Sequence, residues 1–91
     1  MNGQSKVEFQ KNYKRVRDII NKSGGDKEVQ VYLSKRQANL ITDEHKCINR
    51  AMAAKEIGNE EIFEVFFRRA YELGSVGAQV YRDYVISKLL E

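Results

Sequence analysis

Gly58-Asn59-Glu60-Glu61-Ile62-Phe63-Glu64-Val65-Phe66-Phe67-Arg68-Arg69-Ala70-Tyr71-Glu72-Leu73-Gly74 is the stretch whose reading decides the fold. Asn59 offers a capping oxygen, and Glu60 and Glu61 set negative charge against the positive end of a helix dipole. Between the two glycines, Ile62, Phe63, Phe66, Phe67, Ala70, Tyr71 and Leu73 cover about half of a helical circumference, wider than the stripe of an ordinary surface helix. The pattern predicts a helix over 60–73 at the centre of the fold.

Working outward, Thr42-Asp43-Glu44 places a cap and two acids ahead of a helix that runs to about Ile57 and stops at Gly58. Cys47, Ala51 and Ala54 give it a stripe of small residues, with Ile48 and Met52 alongside, and the Phe-rich helix is the expected occupant of that stripe. Downstream, Ser75 caps a last helix whose expected inner face is Val80, Tyr81, Tyr84, Val85 and Leu89. At the other end, Ser5-Lys6-Val7-Glu8 has the form of a capping box. Phe9, Tyr13, Val16 and Ile20 follow on one helical face, with Ile19 at its edge, up to the breaker Asn21-Lys22-Ser23-Gly24-Gly25. Asp26 then caps Lys27 to Ile41, with Val29, Leu33 and Leu40 on one face and Tyr32 beside it. Glu28-Val29-Gln30-Val31 also alternates as a strand does. With no second strand to pair with it, helix is the reading. The expected fold is all-α, a compact bundle of four or five short helices, with residues 1–91 as a single helical domain. A short β element near 28–33 is the main alternative.

Composition agrees with that class. The chain has 91 residues, of which 42% are hydrophobic and 32% charged, so it is too apolar for a disordered chain and too polar to span a bilayer. Its polar start lacks the apolar run of a secretory signal, and one cysteine forms no internal disulfide, so a cytoplasmic location is expected. Proline is absent, which leaves the turns to Gly, Asn, Asp and Ser. The net charge is +3, unevenly spread: residues 1–40 carry nine Lys and Arg against four Asp and Glu, whereas residues 41–91 carry seven against nine.

Gly58-Asn59, the Phe66-Phe67 pair and Ala70 fall at offsets that resemble the second helix of a tetratricopeptide-type hairpin, with Ala51 where its first helix carries a small residue. The resemblance spans Asp43 to Leu73 and implies a helical hairpin with an outer groove for a peptide or helix. Phe63 stands where that family has alanine, and the closing proline and a second repeat are missing. Ala70, Gly74 and Val80 similarly resemble the small residue, turn glycine and buried aliphatic of a helix-turn-helix, which implies DNA recognition. Arg69 and Asp83 depart from that motif at its apolar positions.

Reactive groups are sparse. His45 and Cys47, the only soft metal ligands, are two residues apart and point to different helix faces, whereas a structural zinc site needs four ligands. No serine sits in a nucleophile elbow, and Glu60/Glu61 and Asp43/Glu44 serve helix starts. Ser23-Gly24-Gly25-Asp26 lacks the lysine of a phosphate loop and reads as a turn. Neither catalysis nor a cofactor or metal is expected. The expected function is that of a small accessory or regulatory protein that docks on another protein, an acidic one, through the Asp43–Leu73 hairpin. Phe67 and Tyr71 would be its anchors, Arg68 would lie beside them, and the N-terminal lysines would steer the encounter. Homo-oligomerisation is a cheap use of the same surface, and no membrane is involved. The alternative is a nucleic-acid-binding regulator that uses Lys11, Lys14, Arg15 and Lys22, with Arg17, Lys35 and Arg36 extending the patch.

Overall fold

Five helices follow one another through very short turns: α1 (Gly3–Ser23), α2 (Lys27–Leu40), α3 (Glu44–Ile57), α4 (Glu60–Glu72) and α5 (Val76–Leu89). The computed structural model describes residues 3–90, with side chains from Gln10 onward, and among these residues there is no strand. The segment 28–33 is helical, so the β alternative is set aside.

The caps are local chemistry. Asp26 Oδ1 accepts from the amides of Glu28 and Val29, Asp43 Oδ1 from that of His45, Asn59 Oδ1 from that of Ile62, and Ser75 Oγ from that of Ala78. Each replaces a hydrogen bond that a helix start otherwise lacks. The capping box expected at Ser5 and Glu8, like the Phe9 side chain, lies outside the described side chains, and the backbone of α1 already begins at Gly3. Gly58, at φ 91°, closes α3, its amide donating to the carbonyls of Ala54 and Lys55. A side chain there would be strained.

The core is built around α4, which packs on α2, α3 and α5. Ile62, Phe63, Phe66, Phe67 and Ala70 are all buried on it, and Cys47, Ala51 and Ala54 of α3 are buried in the same cluster. Small residues on one helix facing large ones on the next give the close approach that dense packing requires. The hairpin over Asp43–Leu73 is thus present, with α3 against α4.

Three helices turn differently from expectation. On α1 the buried stripe is Asn12, Val16, Ile19 and Ser23, while Tyr13 and Ile20 are only half-buried. The rotation satisfies polar groups: Asn12 Oδ1 accepts from Arg50 Nε at 3.4 Å, and Ser23 is fully engaged. Its hydroxyl donates to the Ile20 carbonyl at 2.6 Å and accepts from Gly25 N and from Gln30 Nε2. Gln30 Oε1 in turn accepts from Asn59 Nδ2 at 2.9 Å, so one polar chain ties the end of α1, the inside of α2 and the cap of α4. The Ser23–Asp26 segment is accordingly a hydrogen-bonded turn, with Gly24 N donating to Asn21 O and Asp26 N to Ser23 O.

On α2, Gln30, Ser34 and Ala38 are buried, whereas Val29, Tyr32 and Leu40 are exposed and Leu33 is half-buried. The small Ser34 and Ala38 lie against the bulky α4, and Gln30 is held inside by its hydrogen bonds to Ser23 and Asn59. On α5, Ala78 is buried and Tyr81 and Val85 are half-buried, but Val80, Tyr84 and Leu89 are exposed, contrary to the expected inner face. That helix is apolar on nearly every side and rests chiefly on α4, so only one side finds cover.

Candidate functional site

The docking residues read from the sequence divide between core and surface. Phe67 is 4% exposed, its ring 5.1 Å from that of Tyr81 and 5.2 Å from that of Phe63. It is roofed by α5 and is not a free anchor, which corrects the expectation. Tyr71 is exposed on α4 beneath the Arg82 guanidinium, 5.5 Å from its ring centroid, and Arg68 is exposed beside it. Lys55 closes the aromatic group from α3, donating to Tyr81 Oη at 3.1 Å and standing over the Phe63 and Tyr81 rings.

A cleft of about 360 Å³ runs between α4 and α5. Phe63, Phe67, Val85, Ile86 and Leu89 supply apolar walls, and Glu60, Glu64, Arg68 and Arg82 form a rim of both signs. Along α5 and its C-cap, Val76, Val80, Tyr84, Ile86, Leu89 and Leu90 are between 46% and 82% exposed, Ile86 and Leu89 of them at the cleft. None of these was read as exposed from the sequence. The available signal was the lack of any sustained polar face on this helix. A second groove, about 580 Å³, lies between α2 and α4 and is lined by Lys35, Arg68, Glu61, Glu64 and Glu72, with Val65 as an apolar element. Its mixed charges offer no convergent polar set.

Arg69 spends its guanidinium within the fold. Nε donates to the carbonyls of Ala38 and Ile41 at 3.1 and 3.3 Å, and Nη2 donates to that of Ile41 at 3.2 Å, so it caps the C-terminus of α2. With Arg69 committed there and Val80 63% exposed, the segment does not place its residues as a helix-turn-helix requires.

Lys11, Lys14, Arg15 and Lys22 are all exposed on α1. Because the buried stripe is rotated, Lys11, Arg15 and Lys22 occupy a flank a quarter-turn from the core, with Asp18 among them. Arg50 of α3 adjoins this flank: burial and the neighbouring Arg15 charge lower its pKa.

The reactive side chains stay apart. Cys47 is wholly buried, which pushes its thiol pKa up, and His45 is exposed at the start of α3. Among the described residues no three of His, Cys, Asp and Glu gather as metal ligands, and no helix is long and apolar enough to cross a membrane. Compared with protein-family models, curated proteins and solved structures, the chain matches none.

Proposed function

We propose that this protein works by docking on another protein through its α4–α5 side, as a small accessory or regulatory protein with no chemistry of its own. The observation that carries this reading is α5 with its C-cap Leu90, which together leave six large apolar side chains about half to four-fifths exposed. Full burial of one such side chain stabilises by roughly 1.5–3 kcal/mol, so leaving them in water forgoes a large gain that a partner would recover. The occupant that fits is an amphipathic helix of the partner lying along α5. The 14 residues of α5 span about 20 Å. The cleft beside α4 takes apolar anchors, and its rim of Glu60, Glu64, Arg68 and Arg82 meets both signs of charge. A cytoplasmic setting belongs to this reading, since Cys47 is a free buried thiol.

The test compares capture from a lysate of the native host by wild type, by V80E/L89E and by K11Q/K14Q/K22Q. The reading expects a protein retained by wild type and by the lysine variant but lost on V80E/L89E. That protein must then form a complex with the purified chain. Identical capture by all three, or wild type sedimenting as its own dimer that V80E/L89E dissociates, would overturn it.

A further inference from the structure

The outer side of α1 has a different chemistry from α5. Its exposed side chains between residues 10 and 22 are Gln10, Lys11, Lys14, Arg15, Arg17, Asp18, Asn21 and Lys22, with no apolar residue among them. Lys11, Arg15 and Lys22 recur at spacings of four and seven, so they share one face over a run of about 16 Å, with Lys14 beside it. None of these four cations makes an ion pair among the described residues, although Asp18 is four residues from both Lys14 and Lys22. Arg50 adds a further guanidinium near Arg15.

We propose that this flank binds the phosphate backbone of a double-stranded nucleic acid, without reading its sequence. A protein partner needs apolar anchors at the centre of its interface, and this face has none. A duplex instead presents one phosphate charge per roughly 1.7 Å of axis, so a 16 Å row of cations meets several phosphates at once. Contact with the backbone alone carries no sequence information.

The experiment measures affinity for a mixed-sequence DNA duplex and for an RNA duplex across 50–200 mM salt. Four phosphate contacts predict a logarithmic salt slope of about −3.6, or roughly a hundredfold loss over that range. K11Q/K14Q/K22Q should flatten the slope to about −1, whereas R68Q/R82Q/K88Q, which removes equal charge from α4 and α5, should leave it unchanged. D18N removes the acid from the row and should tighten binding. The two duplexes distinguish DNA from RNA as the source of the phosphates. The proposal is overturned by no binding to either duplex at 50 mM salt, or by equal losses in the two triple variants. Poly-glutamate binding more tightly than both duplexes would overturn it as well, because the face would then be a protein-docking one.

Discussion

Replacing Phe66 by alanine should cost more than any other single truncation on α4. Phe66 is wholly buried in the central cluster, and Arg50 stands over its ring at 5.5 Å. Phe→Ala in such a site costs about 3–5 kcal/mol through lost transfer energy and the cavity left behind. For a domain of this size each kcal/mol moves the midpoint by about 4–8 °C, so the melt should fall by at least about 12 °C. Total stability for 91 residues is of the order of 5–14 kcal/mol, so Phe66→Ala takes a large share of it. Phe66→Leu gives a graded version that stays folded. The companion variant is Val80→Glu, on a residue 63% exposed, which should stay within about 0.5 kcal/mol of wild type. Thermal melting and urea denaturation, both followed by far-ultraviolet circular dichroism, measure the two variants. A Phe66→Ala protein melting within a few degrees of wild type, or a Val80→Glu protein as weak as Phe66→Ala, would refute the assignment of inner and outer faces.

Arg69→Leu should lose about 2–3 kcal/mol by releasing the carbonyls of Ala38 and Ile41, with faster amide exchange over the last turn of α2 as its local sign. Gln30→Ala breaks the chain from Ser23 to Asn59 and should cost about 1–3 kcal/mol in the same denaturation assay. Ser34→Ala should instead stabilise by about 0.5–1.5 kcal/mol, because the wholly buried Ser34 hydroxyl finds no hydrogen-bond partner among the described residues and alanine is the better helix former. Cys47 should resist a disulfide reagent in the folded protein and react at once in guanidinium. Its folded pKa is raised by burial, so its contribution to stability holds at neutral pH and declines as pH rises above the ordinary thiol value of 9.0.

The starts of α2, α3, α4 and α5 were legible because each is settled within four residues. Asp26, Asp43, Asn59 and Ser75 accept from amides two or three positions on, and that chemistry is visible in any window of sequence. The inner face of α4 was legible because its apolar side is unambiguous and every neighbour meets it. What α2 and α5 bury was not, since that depends on what they pack against. Beside the bulky α4, Ser34 and Ala38 give α2 a closer fit than Val29 or Leu40, and Gln30 is held inside by partners seven and twenty-nine residues away, neither of which a hydrophobicity pattern registers. Asn12 and Ser23 turn α1 through long-range hydrogen bonds, and Arg69 reaches about thirty residues back to α2. Of the residues read as functional, the α1 cations stand at the surface. Phe67 went to the core because nothing local shows that α5 folds back over it.

The modest footing of α5 sets an order of loosening within the molecule. A helix held along one side, with Ala78 as its only buried apolar residue, leaves at a smaller cost than the other four. Amides of residues 80–89 should therefore exchange well before those of α4. In that partly opened form Phe63 and Phe67 face water while Phe66 stays enclosed, and any agent that recognises exposed phenyl rings meets this chain first through its C-terminal quarter.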